Sequence, residues 1–196
     1  MQESEIIELF KKTGAYQQGH FKLSSGLHSG AYLQCALLLQ NPVIAARLCG
    51  HLAEKIHPIE PDLVLGPAMG GIILAHETAR ALGANAIFTE RDDTGAMALR
   101  RGFTVERDNK ILITEDVLTT GKSVKEVIAL LARQGIKPIG VAALVDRSAG
   151  KIDFGGIKHV SLIKLNIPVF KEKECPLCQE GIPIEKPGSR VQHRGR

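Results

Sequence analysis

Residues 111–123 read Ile-Leu-Ile-Thr-Glu-Asp-Val-Leu-Thr-Thr-Gly-Lys-Ser. Ile111, Leu112 and Ile113 form a short apolar run of the kind a strand shows when both its faces are covered. Residues 122–134 then carry helical spacing through Val124, Val127, Ile128 and Leu131. The turn between them therefore lies at the carboxyl end of a strand and opens a helix. In open α/β sheets ligands bind at that edge, and the free N–H groups and positive dipole end of a helix N-terminus suit a phosphate. Thr119, Thr120, Gly121 and Ser123 are small enough for close backbone approach, and three of them add hydroxyl donors. Glu115 and Asp116 would repel a phosphate, so they face something else, either sugar hydroxyls or a hydrated Mg²⁺. The order fits a phosphosugar site.

Gly121-Lys122-Ser123 also spells the end of a P-loop, but that motif needs a glycine where this chain has Asp116. A plain strand-and-helix turn leaves the two adjacent acids unexplained. The segment resembles the phosphoribosyl pyrophosphate (PRPP) signature of the type I phosphoribosyltransferases: mostly apolar residues, two acids, an apolar pair, then Thr-Thr-Gly and a small residue. The resemblance implies that Glu115 and Asp116 hold the ribose 2- and 3-hydroxyls. It implies that Val117, Leu118, Thr119, Thr120, Gly121, Lys122 and Ser123 form the rest of the PRPP segment, with residues 119–123 on the 5-phosphate.

The chain has 196 residues, enough for one domain with a substantial core and no disulfides. A hydrophobic share of 44% and a charged share of 23% are those of a water-soluble globular protein. With no Trp, two Tyr and six Phe, recognition of nucleic acid by stacking has little to work with. The formal charge is +4, but Lys186, Arg190, Arg194 and Arg196 against Glu185 leave +3 in the last twelve residues, so the body is nearly neutral. No apolar run approaches the ~18 residues of a membrane span, and the start Met-Gln-Glu-Ser-Glu lacks a basic segment and apolar core, so a cytoplasmic protein is expected.

Of four cysteines, Cys35 and Cys49 lie in apolar periodic segments and read as small core residues. Cys175-Pro-Leu-Cys178 has ligand-like spacing, but zinc normally takes four ligands and the sequence shows no second pair; His193 is the nearby candidate. The preferred reading is a reduced turn, with metal or redox chemistry as alternatives.

Outward from the signature, residues 3–12 have the spacing of an amphipathic helix, and residues 21–33 give two short extended pieces around glycines. Helix is expected from Pro42 to about residue 55 and over 71–82. Strands are expected over 62–65, 86–89, 111–115, 139–145 and 160–165. This alternation predicts an α/β fold, a mainly parallel twisted sheet flanked by helices. The whole chain reads as one domain: an N-terminal hood over about 1–35, an α/β core over 36–170 and a C-terminal extension over 171–196. Beyond Pro187 the polar tail is expected to be disordered.

Gly-Pro-Ala-Met-Gly-Gly at residues 66–71 follows a strand and starts a helix, which makes it a second anion-receptive loop or an ordinary tight turn. PRPP is anionic at both ends, and the resemblance sets Ala68, Met69, Gly70 and Gly71 against its pyrophosphate. Met69-Gly70 stands where many relatives carry a lysine, leaving backbone donors. Residues 90–103 separate two strands with charges and glycines, as a solvated hairpin does. The resemblance makes them a mobile loop closing over PRPP, with Arg91 at a pyrophosphate-binding position and Arg100 and Arg101 as further cations. It assigns catalysis to Arg91 and Asp116.

Asp146-Arg147 ends the strand over 139–145, at the same sheet edge as the signature. Arg147 reads as a surface charge, as the ion-pair partner of Asp146, or as a fork for a planar carboxylate. Phe21-x-Leu-x-Ser25-Gly26-x-x-Ser29 and this arginine resemble the orotate branch of the family, in which Thr119 and Arg147 would contact orotate; Ser24 stands where that branch often has a lysine. The implied reaction joins orotate to PRPP, giving orotidine 5-phosphate and pyrophosphate in pyrimidine biosynthesis. Mg²⁺ would be held mainly through PRPP, with Glu115 and Asp116 nearby and no certain direct protein ligand. The implied assembly is a homodimer whose loop reaches the neighbouring site, with no specific nucleic acid and no membrane. The competing readings are a purine phosphoribosyltransferase and a PRPP-sensing regulator of the same fold.

Overall fold

A computed structural model of the chain describes residues 1–23 and 25–187. Ser24, His193 and the tail beyond Pro187, for which disorder is expected, lie outside the described residues. Helix α1 (Glu3–Lys12) begins where Gln2 N–H donates to Glu5 Oε2 at 2.9 Å, and buries Ile6 and Phe10 on its apolar side. A hairpin of β1 (Tyr16–Lys22) and β2 (His28–Leu33) follows, then a short helix α2 (Cys35–Leu39) and the longer α3 (Pro42–Ile56). Asn41 caps α3 by accepting from the N–H groups of Val43 and Ile44, and Pro42 takes the first position, where its missing N–H costs nothing.

Five parallel strands come next, interleaved with two helices: β3 (Leu63–Pro67), α4 (Gly70–Leu82), β4 (Asn85–Arg91), the antiparallel edge strand β5 (Met97–Leu99), β6 (Ile111–Leu118), α5 (Lys122–Ala132), β7 (Gly140–Asp146) and β8 (His159–Lys164). Their order across the sheet is β5-β4-β3-β6-β7-β8. Beyond it, β9 (Val169–Phe170) pairs with β2 to complete a separate three-stranded sheet, and a single helical turn α6 (Pro176–Gln179) follows.

Alternate side chains of the central strands divide between two cores, as the period of two requires. Val64, Leu112, Ala142 and Leu144 face α3 and α4 on one side, while Leu65, Ile111, Ile113, Val141 and Ala143 face α5 on the other. Both faces are covered, which is why these strands read as unbroken apolar runs. Since β3 leads outward to β4 while β6 leads outward to β7 in the opposite direction, the carboxyl ends of β3 and β6 flank the point where the strand order reverses.

Helix α4 lies very close against β3. A methyl built on Gly66 would meet the Gly71 carbonyl carbon at 2.7 Å and Ala75 Cβ at 3.1 Å. Gly66→Ala is therefore expected to cost roughly 1–3 kcal/mol through overpacking. A urea midpoint lowered at unchanged m-value will show it.

Candidate active site

Strand β6 runs three residues past the expected end at 115, so Asp116 lies within the strand together with Glu115. Each is partly buried, and their two carboxyls lie within reach of each other. Asp116 Oδ1 accepts from the N–H of Val117 at 2.8 Å, whereas Glu115 Oε2 is buried without a hydrogen-bond partner among the described residues. Burial, and then the adjacent Asp116 charge, hold the Glu115 carboxyl well above the usual carboxylate range; burial raises Asp116 too. An unpartnered acid in this state gains from a hydroxyl donor or a cation and from little else.

The two glycine-bearing loops converge on this pair. A Cβ built on Gly70 would lie 2.7 Å from Asp116 Cγ, so only a glycine allows the first turn of α4 to reach the acid. Gly71 is buried against Pro67, Ala68 is half-buried and Met69 is exposed, with the Ala68–Met69 peptide in the cis form. On the next strand, Gly121 adopts the left-handed conformation (φ 69°) at the cap of α5. Thr119 and Thr120 are exposed ahead of it, Ser123 is half-buried in the first helical turn, and Lys122 N–H reaches Thr120 Oγ1 at 3.4 Å. Two helix N-termini, from α4 and α5, thus open beside the carboxylates. Val117 packs on the α3–α4 core and Leu118 on the α5 core, anchoring the segment from both sides.

Arg147 follows the end of β7, which pairs with β6 in the register Leu118↔Asp146. It is not the ion-pair partner of Asp146, whose carboxylate accepts from Ser148 N–H at 2.7 Å and faces His159 Nε2 at 3.7 Å. The Arg147 guanidinium instead reaches Ser29 Oγ of β2 at 3.4 Å through Nη2, and its Nε is buried without a partner among the described residues. Tyr32 stands within electrostatic reach of both charges: burial first and then Asp116 raise its hydroxyl pKa, Cys35 adds to this, and Arg147 opposes it. Ser29 belongs to the N-terminal motif, but nothing in the sequence pointed to Tyr32, because its role depends on a hairpin folding over a sheet edge remote in sequence.

Two basic positions of the loop, Arg91 and Arg101, are already engaged. Arg91 donates to Gly95 O at 2.6 Å and to Glu126 Oε2 at 2.7 Å, and Lys122 Nζ lies 3.9 Å from the same glutamate. Arg101 holds Glu90 with two bonds of 2.7 and 3.0 Å. Arg100 is exposed. The hairpin is as expected, with the addition of β5 and its buried Met97. Glu126 links this hairpin to the first turns of α5.

Residues 38–163 match the family model described as the phosphoribosyl transferase domain. The chain is 53% identical over 188 residues to an orotate phosphoribosyltransferase of Carboxydothermus hydrogenoformans, across 95% of this chain and 97% of that one. It is 50% identical over 190 residues to the one of Caldanaerobacter subterraneus subsp. tengcongensis, across 97% and 99%. Among solved structures, the orotate phosphoribosyltransferase from Aeropyrum pernix superimposes with a TM-score of 0.65 at 26% identity, covering 82% of this chain and 93% of that chain. By the family model over most of its length and by relatives half identical to it end to end, the chain belongs to the phosphoribosyltransferase family, among the orotate phosphoribosyltransferases.

Proposed function

We infer that this chain transfers the ribosyl phosphate of PRPP to N1 of orotate, releasing pyrophosphate and forming orotidine 5-phosphate, the step that commits the base to UMP. The observation that carries the choice of base is Arg147: a guanidinium with an unpartnered buried Nε, at the sheet edge beside the acid pair, suits the one pyrimidine that bears a carboxylate. Thr119, exposed at the start of the turn, is the second contact to orotate.

PRPP lies across the switch point in this reading. Glu115 and Asp116 accept from the ribose 2- and 3-hydroxyls, which supplies the missing partner of Glu115 Oε2. The amides of the Thr119–Ser123 turn and the hydroxyls of Thr119, Thr120 and Ser123 hold the 5-phosphate at the N-terminus of α5. The amides of Ala68, Met69, Gly70 and Gly71 face the pyrophosphate at the N-terminus of α4. The C1–oxygen bond to pyrophosphate breaks as the C1–N1 bond forms, with positive charge developing on the ribose. The chain's part is to align the two reactants and stabilise separated charge, with no side-chain nucleophile. A hard cation fits beside two adjacent carboxyl groups, whose ionised form it would favour; Mg²⁺ bound through PRPP near Glu115 and Asp116 would neutralise the leaving group. Arg91 adds cationic charge once closure of residues 90–103 exchanges Glu126 for phosphate oxygens. A homodimer that shares this loop between sites, and residence in the cytoplasm, belong to the same proposal. No helix among the described residues is long and apolar enough to cross a membrane.

Purified protein with PRPP and Mg²⁺ is expected to release pyrophosphate with orotate and very little with adenine, hypoxanthine, guanine or uracil. Robust turnover of a purine would move the chain to the purine branch, and no turnover with any base, together with tight PRPP binding, would favour a sensor. Within the orotate reading, Arg147→Ala should lose roughly 2–5 kcal/mol in orotate kcat/KM, the cost of stripping one partner from a desolvated charge pair. PRPP affinity should barely move, and Arg147→Lys should recover only part of the loss, because an ammonium lacks the planar fork. Loss of PRPP affinity instead would remove Arg147 from the orotate end.

The raised Glu115 pKa sets a second expectation. Between the ordinary carboxylate range and its raised folded value, the folded state holds a proton that the unfolded state has released, so stability falls as pH rises through that window. Glu115→Gln should flatten this decline in urea midpoints taken from mildly acidic to mildly alkaline pH, while weakening PRPP. Hydroxyl donors favour the ionised acid, so wild-type PRPP affinity should increase over the same rise in pH. A midpoint profile identical in wild type and variant would show that Glu115 is not held protonated by the fold.

A further inference from the structure

Cys175 and Cys178 sit at the start and within the turn α6, as the reduced-turn reading has it, but they are not alone there. Two histidines from the opposite end of the chain meet them: His20 on β1 and His28 on β2. The four donor atoms lie within 4.8 Å of one another. His20 Nε2 is 3.1 Å from His28 Nδ1, 3.5 Å from Cys175 Sγ and 3.6 Å from Cys178 Sγ, and Cys178 Sγ is 3.2 Å from His28 Nδ1. We propose that these four residues form a structural zinc site of the Cys₂His₂ type, joining the N-terminal hairpin to the C-terminal segment.

The spacing agrees with the ion. Zn–N bonds of ~2.0–2.1 Å and Zn–S bonds of ~2.3 Å place tetrahedral neighbours about 3.3–3.8 Å apart, close to the 3.1, 3.2, 3.5 and 3.6 Å of the pairs given above. The tautomer of His20 is suited to it as well, while the outer Nε2 of His28 is buried without a partner among the described residues. His20 Nδ1 lies 2.7 Å from the carbonyl of Ile182, so it carries the proton and leaves Nε2 bare toward the cluster, the outer contact that usually orients a metal-binding histidine. A hydrogen-bonded cluster is a poorer account, because a bare nitrogen has room for one donor, whereas His28 and both thiols converge on it. Two sulfurs and two imidazoles in a closed tetrahedral set select zinc over the hard cations, and with no coordination position left open they make a structural site. His20, His28 and Cys175 are buried, while Cys178 is half-buried beside a surface cavity of about 270 Å³ that offers a way in.

The site acts where the backbone already joins these segments weakly. Glu185 N–H donates to His20 O, Lys22 N–H donates to Glu185 O, and β9 gives β2 only two residues of pairing. Zinc would close a loop of some 150 residues between His28 and Cys175, and Ser29, next to the ligand His28, is the residue that touches Arg147. The staple therefore fixes the hairpin over the arginine.

Tag-free full-length protein, purified without chelator, should contain one zinc per chain by elemental analysis. Exchange with Co²⁺ should give the ligand-field absorption of a tetrahedral ion and a thiolate charge-transfer band. Cys175→Ser with Cys178→Ser should lose the metal and both bands, and chelation should lower the melting temperature of the wild type to that of the variant while leaving the variant unmoved. Should the double variant fail to fold, the cobalt spectrum of the wild type still decides, with Cys178→Ser alone as the partner variant. A metal content unchanged in the variants, a wild type whose melting responds neither to zinc nor to chelator, or a Cys175–Cys178 disulfide in the isolated protein would each overturn the site.

Discussion

Two consecutive carboxylates at the end of a central strand, drawn out of water on both sides, are the constraint around which the sheet edge is arranged. A strand buried on both faces has no solvated side toward which to turn an acid, so Glu115 and Asp116 are desolvated whichever way each points. The fold answers by bringing main chain rather than side chains to them. Gly70 gives up its Cβ so that the start of α4 can reach Asp116, and Gly121 takes a left-handed turn so that α5 begins immediately after β6. Two helix N-termini with their positive ends then share one edge with two acids, an arrangement that is costly when empty and well matched to a sugar with phosphates at either end.

Most of this edge was legible from residues 66–71 and 111–123, because strand, turn and helix follow one another without interruption and each has its own period. Helix α1 begins and ends where the amphipathic spacing places it, and α3 starts at its proline. The elements that escaped have no such period. Helix α2 is five residues long and apolar throughout, so it offers no polar face to mark it. Strand β5 has three residues and owes its place to pairing with β4 and to Met97 entering the core. Strand β6 is longer than expected because ladder pairing with β7 continues to Leu118, through Asp116 and the apolar pair Val117-Leu118 that the sequence assigns to the turn.

The proposed zinc ligands show a limit of a different kind. A pair of cysteines two residues apart invites a search for a second pair at similar spacing, and the chain has none. His20 and His28 are separated by a turn, and they become neighbours because β1 and β2 pair antiparallel with a register shift that sets the two side chains on one side of the hairpin. They meet the cysteines because β9 and Glu185 bring the C-terminal segment back alongside. Only a tertiary contact of high sequence separation creates the site, and spacing within a segment carries no information about it.

Arg147 and the acid pair end neighbouring strands and yet form no ion pair among the described residues; Tyr32 stands within reach of both Arg147 and Asp116. If they were paired, each would cancel the other's field, and a substrate would first have to separate them. Held apart, they leave an electron-rich and an electron-poor end within one site: the acids wait for hydroxyl donors, and the arginine waits for a carboxylate. In the proposed function, a base bearing a carboxylate and a phosphosugar bearing hydroxyls satisfy the two ends only when both are bound with the reacting atoms between them. The energy left unspent in the empty site is thereby recovered in the complex that is oriented to react.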